Sequence, residues 1–538
     1  MSSVRARRAF IPSSSLDTTR QHRDRQKIMS NHFASGLPYS RKLIGHSSCV
    51  NALAFSSGEG RWLASAGDDR VVKLWDLHQE DVTAPSCSFS GPGSNVFTVA
   101  FSASNQYVYS GGADDTILKY DLTRYTTNQL EGDGPTQTYA QHSDFIRSVS
   151  CHPHQDEIFM SASEDGCIML HDGRAGSRMT RAQATLQQAA EFSGAFFHPL
   201  MEHLFATSDV RGNIRLRDTR MAFGPLRQRT KEGVVLKYVS RITKRSVAAY
   251  IRPEASSLTW DVDGTKLGVT FLHWFPTIYS LSDPYPVAVC SGRNLPDGTP
   301  SPADARTFSD STTMKHGSFG GSAQITGGEA FYSSGSDDFR GYLWQIPSLT
   351  TLENERHIIG ADDWLNGAQD GTVAFTGSSY SSEKYVPKDL STPLTRLCGH
   401  LSIVNSTLIH PVLPLIATAG IERQVLLHSP TPSTPWASDL PLTPTTTRSL
   451  PSEGQTPADP SVLRLLMRLS TIMESDELIG EDARSIAYFD MILQREGKRD
   501  LFVLRQPAMP SDDDADDGHD IEIDSADETQ EEEDEEGR

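Results

Sequence analysis

From Val50 onward the chain falls into runs of five or six β-prone residues, such as Val50–Phe55, Arg61–Ser65 and Val71–Trp75, parted by Gly, Asp and Ser. Apolar runs this short, closed by turn residues, predict strands of antiparallel sheets. The same lettering then returns along the chain. Gly45-His46 opens a unit, Ser65-Ala66-Gly67-Asp68-Asp69 marks a tight turn, and Leu74-Trp75-Asp76 closes a strand. His46 precedes Asp69 by 23 residues, His142 precedes Asp165 by 23, and His400 precedes Glu422 by 22. Asp114 stands in the turn of a second unit, and in a sixth Asp338 precedes Trp344 by the six residues that separate Asp69 from Trp75. A degenerate fourth unit runs from Thr207-Ser208-Asp209 to Arg217-Asp218, without a turn Asp at Arg211, and Ser257–Gly264 opens a fifth. Seven units in step predict an all-β, seven-bladed propeller of four-stranded blades over residues 39–428. Its units average about 55 residues, more than a blade needs. The excess falls at 291–311 and 351–393, rich in Gly, Ser, Thr, Pro or Asp, which read as long loops, functional or disordered.

Outside the repeats the pattern changes. Residues 429–460 hold eight prolines and twelve Ser or Thr, the composition of an extended linker that buries no core. Residues 461–500 predict short amphipathic helices. Asp459-Pro460 caps and starts one with Val462, Leu465, Leu466, Leu469 and Met473 on one face; Ala483–Arg495 sets Ile486, Phe489 and Leu493 on one side of another. The second helix reads as packed against the propeller rim more readily than as a free partner-binding helix. Residues 1–38 form a basic arm with room for a short helix, and in it Ile28, Met29 and Phe33 offer a weak apolar face. Its first 28 residues carry seven Arg or Lys against two Asp, which suits a disordered arm better than a mitochondrial-type transit peptide. Arg5-Ala6-Arg7-Arg8 is a weak nuclear-import signal.

Charge narrows the classes of function. The net −20 is concentrated in an acidic tail, residues 501–538, where 511–538 hold 16 acidic residues against Arg538 alone and so contribute −15. The rest sums to only −5, and a near-neutral body argues against direct nucleic-acid binding, which needs clustered cations to displace counterions. The tail reads as solvated and disordered rather than as a motif for histones or other basic partners. Six cysteines without a CxxC suggest neither a zinc site nor a disulfide framework. With no run of 18 apolar residues and no secretory core near the start, the expectation is a soluble protein of the nucleus or cytoplasm.

His, Ser and Asp recur often enough to suggest a hydrolase triad of His46, Ser65 and Asp69; the family resemblance below implies a structural role for them instead. His152-Pro153-His154 lacks further ligands at usable spacing and reads as a turn, so no metal is expected. Gly317-Ser318-Phe319-Gly320-Gly321 lacks the Lys and Ser/Thr of a phosphate loop and reads as blade turns, so no cofactor is expected. A closed ring offers rigid loops and a channel mouth, which favour protein recognition over chemistry. One pair stands out: His171-Asp172-Gly173-Arg174 is followed 46 residues later by Arg217-Asp218-Thr219-Arg220. That spacing approximates one blade and predicts Arg174 and Arg220 side by side on one face, where guanidinium forks can meet carboxylates or backbone carbonyls of a partner. From spacing alone, two solvated turn arginines are the stronger reading.

The Gly-His starts, Asp turns and Trp-Asp ends quoted above resemble the WD-repeat (WD40) family, over roughly residues 43–430. The resemblance implies a buried hydrogen-bond chain in each blade, and its candidates here are His46, Ser65, Asp69, Trp75, Asp114, His142, Asp165, Asp338, Trp344 and His400. The paired x-Asp-x-Arg boxes are similar to those of WD-repeat substrate receptors of cullin-4 RING ubiquitin ligases, with His171 and Arg217 where that family has Trp. Further strings resemble one member of that family, among them Gly45–Ala52, Ser94-Asn95-Val96-Phe97, Ser334–Phe339, Gly399–Asn405 and, in the tail, Ser485–Asp490. This resemblance implies a non-enzymatic subunit that docks on the damaged-DNA-binding-protein adaptor through Asp172, Arg174, Asp218 and Arg220 and presents a protein substrate for ubiquitination. It also implies that a helix before the propeller inserts into the adaptor, which points to Ile28, Met29 and Phe33. The rival reading is a WD40 interaction scaffold, or a chaperone of histones or other basic proteins, with no ligase link.

Overall fold

The computed structural model describes residues 27–504 apart from 125–133, 175–183, 226, 228, 321–329, 369, 378–382, 435, 452–477 and 498–500. The predicted runs are strands. Blade 1 takes Val50–Phe55, Trp62–Gly67, Val72–Asp76 and Cys87–Phe89 from inside to outside, joined antiparallel. Val72, Leu74 and Trp75 are fully buried or nearly so, because the blade is covered on both faces by its neighbours. Six more blades follow, four-stranded except for the fifth, with innermost strands Val96–Phe101, Ile146–Cys151, Phe192–Phe197, Ala255–Trp260, Ser318–Gly320 and Val404–Ile409, each beside the next and the last beside Val50–Phe55. The early strand Tyr39–Ile44 supplies the outer strand of blade 7, pairing antiparallel with Gln424–Ser429 from Tyr39↔Ser429 to Ile44↔Gln424. The two ends of the repeat region thus lock one sheet, and the ring has no open seam. A single apolar cluster spans it, with Leu43, Val425 and Leu427 of blade 7 against Val50, Leu63 and Trp75 of blade 1.

Two histidines bolt blades together at the turn after the first strand. His410 Nδ1 accepts the backbone N–H of Val412 and of Leu413, while its Nε2 lies 3.1 Å from the carbonyl oxygen of Gly60 in blade 1. His198 repeats this with Leu200, Met201 and Gly264 of blade 5, at 2.9 Å. Both glycines have φ near +67°, at +68° and +66°, and a Cβ there would lie 2.6 Å from the His410 ring and 2.1 Å from the His198 ring. Only glycine satisfies the backbone and the close approach together.

Five expectations need correction. The stretch expected to form turns is strand instead: Ser318–Gly320 is the innermost strand of blade 6, where a side chain at Gly320 would collide with Ile409 of blade 7, and Gly321 lies outside the described residues. Residues 351–393 are not a loop. They begin inside the helix Leu349–Glu355, capped by Ser348, continue through the helix Ala361–Asn366, and supply His357–Ile359, Val373–Phe375 and Lys384–Val386 to a five-stranded sheet outside the ring. The other two strands, Ile242–Lys244 and Val247–Ile251, come from the connection between blades 4 and 5, and Lys388–Asp389 adds a parallel fifth strand to blade 5. The segment 291–311 is likewise folded in part: Phe308 is buried against Tyr342 and Trp344 of blade 6. The Pro-rich stretch after 428 does bury core, since Trp436, Ala437 and Leu440 pack onto the cluster between blades 7 and 1. Finally, Leu501 and Phe502, within the predicted tail, form a short helix, Leu501–Leu504, buried against Ile242, Ile251 and Phe375 of the accessory sheet. The helix predicted after Asp459-Pro460 and the acidic run 511–538 lie outside the described residues.

Candidate functional site

In blade 1 the recurring polar residues form one chain. His46 Nδ1 donates to Asp69 Oδ2 at 2.8 Å, Ser65 Oγ donates to His46 Nε2 at 2.7 Å, and Trp75 Nε1 donates to Ser65 Oγ at 2.8 Å. Distances and order are those of a hydrolytic triad, but Ser65 is wholly buried and its oxygen is already engaged by the indole. Every polar atom has its partner, which is what burial demands. Blade 3 repeats the chain with His142, Asp165 and Ser161 at 2.9 and 2.7 Å, and blade 7 with His400, Glu422 and Thr418 at the same distances. Hydrogen bonds from His142 and from backbone N–H groups overcome burial and hold the Asp165 carboxyl at about 2.

Strand pairing identifies the counterparts of Trp75 as Tyr120, His171, Arg217, Tyr279, Trp344 and His428, all buried. His171 Nε2 donates to Ser161 Oγ at 2.9 Å and stacks on Phe159 at 4.3 Å; His428 Nε2 donates to Thr418 Oγ1 at 2.8 Å. Burial keeps both imidazoles neutral, each pushed down to about 3. Arg217 Nε donates to Thr207 Oγ1 at 3.2 Å and its Nη1 to the Glu232 carbonyl at 2.7 Å, with burial lowering the guanidinium to about 10. The strand ends therefore stay anchored without the Trp: a ring or fork of similar reach still meets the hydroxyl one strand away. In blade 4 Gln188 takes the place of the histidine and donates to the turn residue Asp209 at 3.1 Å.

Three candidates, Asp114, Asp338 and Trp344, do not join such a chain. Asp114 accepts from the backbone N–H of Gly93 at 2.7 Å, the bond Ser47 makes to Asp69 in blade 1, since Pro92 stands where the histidine would be. Asp338 accepts from Tyr342 Oη at 2.7 Å and from Arg340 Nη1 at 2.8 Å, while Trp344 Nε1 has no hydrogen-bond partner and the ring stacks on Tyr342 instead.

The strand holding the His, Trp or Arg anchor runs on into the paired boxes. Asp172 ends Cys167–Asp172 opposite Ile158, and Asp218 ends Ile214–Asp218 opposite Leu204, the same register in adjacent blades. Arg174 and Arg220 therefore leave their blades at the same end of the ring. Each aspartate shapes the turn that follows, accepting the backbone N–H two residues on at 3.0 Å for Arg174 and 2.9 Å for Arg220. It also grips the guanidinium of that same residue. Arg174 donates through Nε at 3.1 Å and Nη2 at 3.2 Å, and Arg220 at 3.1 and 2.7 Å. These bonds raise both arginines and lower Asp218. The side chains stay 55% and 66% exposed. Two forks are thus held in fixed orientation with Nη1 unbonded among the described residues, an arrangement suited to a partner's carbonyl or carboxylate oxygen.

The opposite end of the ring is partly covered. Helix Leu478–Glu496 lays Leu493 and Phe489 on Cys49, Phe339, Ile403 and Ile421, in the connections of blades 1, 6 and 7. Asp490, buried, accepts both ends of the Arg448 guanidinium at 2.8 and 2.6 Å. The predicted helix over 483–495 does pack on the propeller. The N-terminal candidates are corrected: in the helix over 27–34, Met29 and Phe33 are buried against Phe331, Leu343, Leu397, Ile409 and Ile416 of this same chain, with Phe33 edge-on to Phe331 at 5.0 Å. Ile28 alone of the three is exposed.

Sequence reasoning missed the histidine bolts, although the His-Pro pairs at 152, 198 and 410 signal them. It read His152-Pro153-His154 as a turn, and His152 there accepts the N–H of His154. Among the described residues no group of three or more His, Cys, Asp and Glu is placed to hold a metal ion, and no helix is long and apolar enough to cross a membrane.

These features define a WD40-repeat propeller, and the WD domain, G-beta repeat family model matches residues 38–76, 83–121 and 134–172, which hold the strand that closes the ring, blades 1 and 2 and the three inner strands of blade 3. Among individual proteins, the chain is 26% identical over 470 residues to human DDB1- and CUL4-associated factor 5, covering 85% of this chain and 41% of that protein. It is 28% identical over 205 residues to human WD and tetratricopeptide repeats protein 1, covering 37% of this chain and 28% of that one. It is 29% identical over 166 residues to histone acetyltransferase type B subunit 2 of Kluyveromyces lactis, covering 30% and 38%. The chain spans about two fifths of the length of the first of these.

Proposed function

We propose that this chain is a non-catalytic substrate-recognition subunit of a cullin-4 RING ubiquitin ligase, docking on the damaged-DNA-binding-protein adaptor through Arg174 and Arg220. The observation that carries the reading is their equivalence: two exposed guanidinium forks, each gripped by the aspartate that ends its strand, at one register of adjacent blades. Similarity to DDB1- and CUL4-associated factor 5 along 85% of the chain supports it. The buried and fully bonded serines of blades 1 and 3 offer no nucleophile, so the contribution of this subunit is proximity: holding a substrate near the transferring enzyme raises the effective concentration of its lysines. The substrate falls to the opposite end of the ring, over the blades that helix Leu478–Glu496 leaves uncovered.

Affinity purification tests this. Adaptor and cullin-4 should copurify with the intact chain and be lost with Arg174→Ala/Arg220→Ala, and absence of both from the wild-type sample overturns the reading. A WD40 scaffold or chaperone of basic proteins is the second reading. The −15 run at 511–538 and the likeness to a histone acetyltransferase subunit favour it. Stoichiometric histones without adaptor in the same purification would select it.

A further inference from the structure

Two more aspartates occupy the register of Asp172 and Asp218. Asp76 ends the third strand of blade 1 opposite Trp62, and Asp121 ends that of blade 2 opposite Tyr107. Each also holds an exposed arginine, but the arginine arrives by another route. Arg61 comes from the preceding turn, fifteen residues before its aspartate, and donates through Nε at 3.0 Å and Nη2 at 2.7 Å. Arg124 comes from three residues after Asp121 and lies 3.3 Å from it through Nε. Their side chains are 51% and 66% exposed. In blades 5, 6 and 7 the same register position is Ser280, Gln345 and Ser429, so the pairs form an unbroken belt over four consecutive blades and then stop. Beside the belt, between blades 1 and 2, opens a pocket of about 170 Å³ with Trp62, Leu74 and Leu122 on its apolar wall and Asn105, Gln106 and Thr123 on its polar one, and with Arg61 lying over the Trp62 ring at 4.9 Å.

We infer that the docking surface for the adaptor is this whole belt, with Arg61 and Arg124 acting alongside Arg174 and Arg220, and that the pocket between blades 1 and 2 receives an apolar side chain of the partner. The inference rests on the ligase reading for the partner's identity. The chemistry of the belt says what kind of surface fits it. Each guanidinium is matched by its own aspartate, so the belt has almost no net charge and cannot attract a polyanion by releasing counterions. It offers oriented N–H donors on pre-set side chains, which meet carbonyl and carboxylate oxygens of a folded protein without a large loss of rotamer freedom on binding. Arginine beside a pocket with an aromatic and aliphatic wall is the composition in which binding energy concentrates at protein interfaces. The partner segment is therefore one that combines an inserted aliphatic or aromatic side chain with backbone or side-chain oxygens spaced by about one blade.

The test is titration of the purified full-length chain with purified adaptor. Arg61→Ala/Arg124→Ala should weaken binding about tenfold with an unchanged melting temperature. Thr123→Trp, an exposed residue on the pocket rim, should also weaken it by filling the pocket. Affinity should change little between about 50 and about 300 mM salt, because the charges are internally paired. Wild-type affinity in Arg61→Ala/Arg124→Ala, alongside loss in Arg174→Ala/Arg220→Ala, overturns the belt and leaves the ligase reading standing. A wild-type chain that fails to bind adaptor overturns both. Binding of duplex DNA that falls steeply with salt overturns the belt's protein-recognition role.

Discussion

Blades 1 to 4 and blades 5 to 7 share one strand order but place their charged residues differently. In the first group every third strand ends in a largely covered aspartate that holds an exposed arginine. In the second group that register carries Ser280, Gln345 and Ser429, and the charges are inside. Lys315 is fully buried, 2.7 Å from Asp337 and 3.8 Å from Asp310; Arg340 is bound to Asp338, and Arg448 to Asp490. The same half receives most of the additions: an accessory sheet, a fifth strand on blade 5, and the C-terminal helix, which reaches over to Cys49 of blade 1. A repeat fixes backbone geometry and leaves the polar termini of its strands open to either use. One half displays charge on a bare blade end, and the other uses charge to tie appended segments down.

The strongest way to break this contrast is to cut a tie in the second half. Arg448→Ala leaves the buried Asp490 carboxylate without its two charged donors and should cost about 3 kcal/mol, read as loss of hydrogen-exchange protection over Leu478–Glu496. In the first half Asp69→Ala leaves His46 Nδ1 buried without an acceptor and should lower unfolding free energy by about 2 kcal/mol, measured by denaturant titration. Acidification acts on both halves, since His171 and His428 sit one in each. Their imidazoles are held down to about 3 against about 6.5 when unfolded, so the unfolded chain takes the proton first. Stability is full above about pH 6.5 and falls as pH drops toward 3, by up to about 1.4 kcal/mol per pH unit for each histidine. Denaturation midpoints between pH 7.5 and 5 should show that slope, reduced in His171→Trp. The smallest effect sharpens the contrast most: Arg174→Ala/Arg220→Ala should leave the thermal midpoint unmoved, because exposed ion pairs contribute little to folding, while adaptor capture is lost. A lower midpoint would place these arginines among the structural ties instead.

The blades were legible because each repeats a short vocabulary. A histidine 22 or 23 residues before an acid, with a hydroxyl between them, needs no distant segment to be understood, and blades 1, 3 and 7 close the chain those residues suggest. Blade 6 shows where the vocabulary misleads. Asp338 and Trp344 have the right spacing, yet with no histidine present the aspartate turns to Tyr342 and Arg340. Composition misled in the Pro-rich stretch after 428, because one residue, Trp436, supplies enough apolar surface to dock it. It also misled at 351–393, whose strands find partners more than 120 residues earlier, at Ile242–Lys244.

What the sequence by itself determined is therefore local and periodic: strand lengths, turn positions, the number of blades, and the placement of Arg174 and Arg220 after equivalent strands. Those follow from side-chain period and turn chemistry, which act over a few residues and are repeated seven times. Only the tertiary structure decided which polar groups are paired and which are displayed. Arg61 and Arg124 reach the register of Arg174 and Arg220 from opposite sides of their aspartates, with spacings of fifteen and three in place of two. Met29 and Phe33 are covered by blades 6 and 7, some 300 residues and more away in sequence. Such pairings depend on which surfaces the closed ring brings together, and a linear pattern does not encode a distance across a ring.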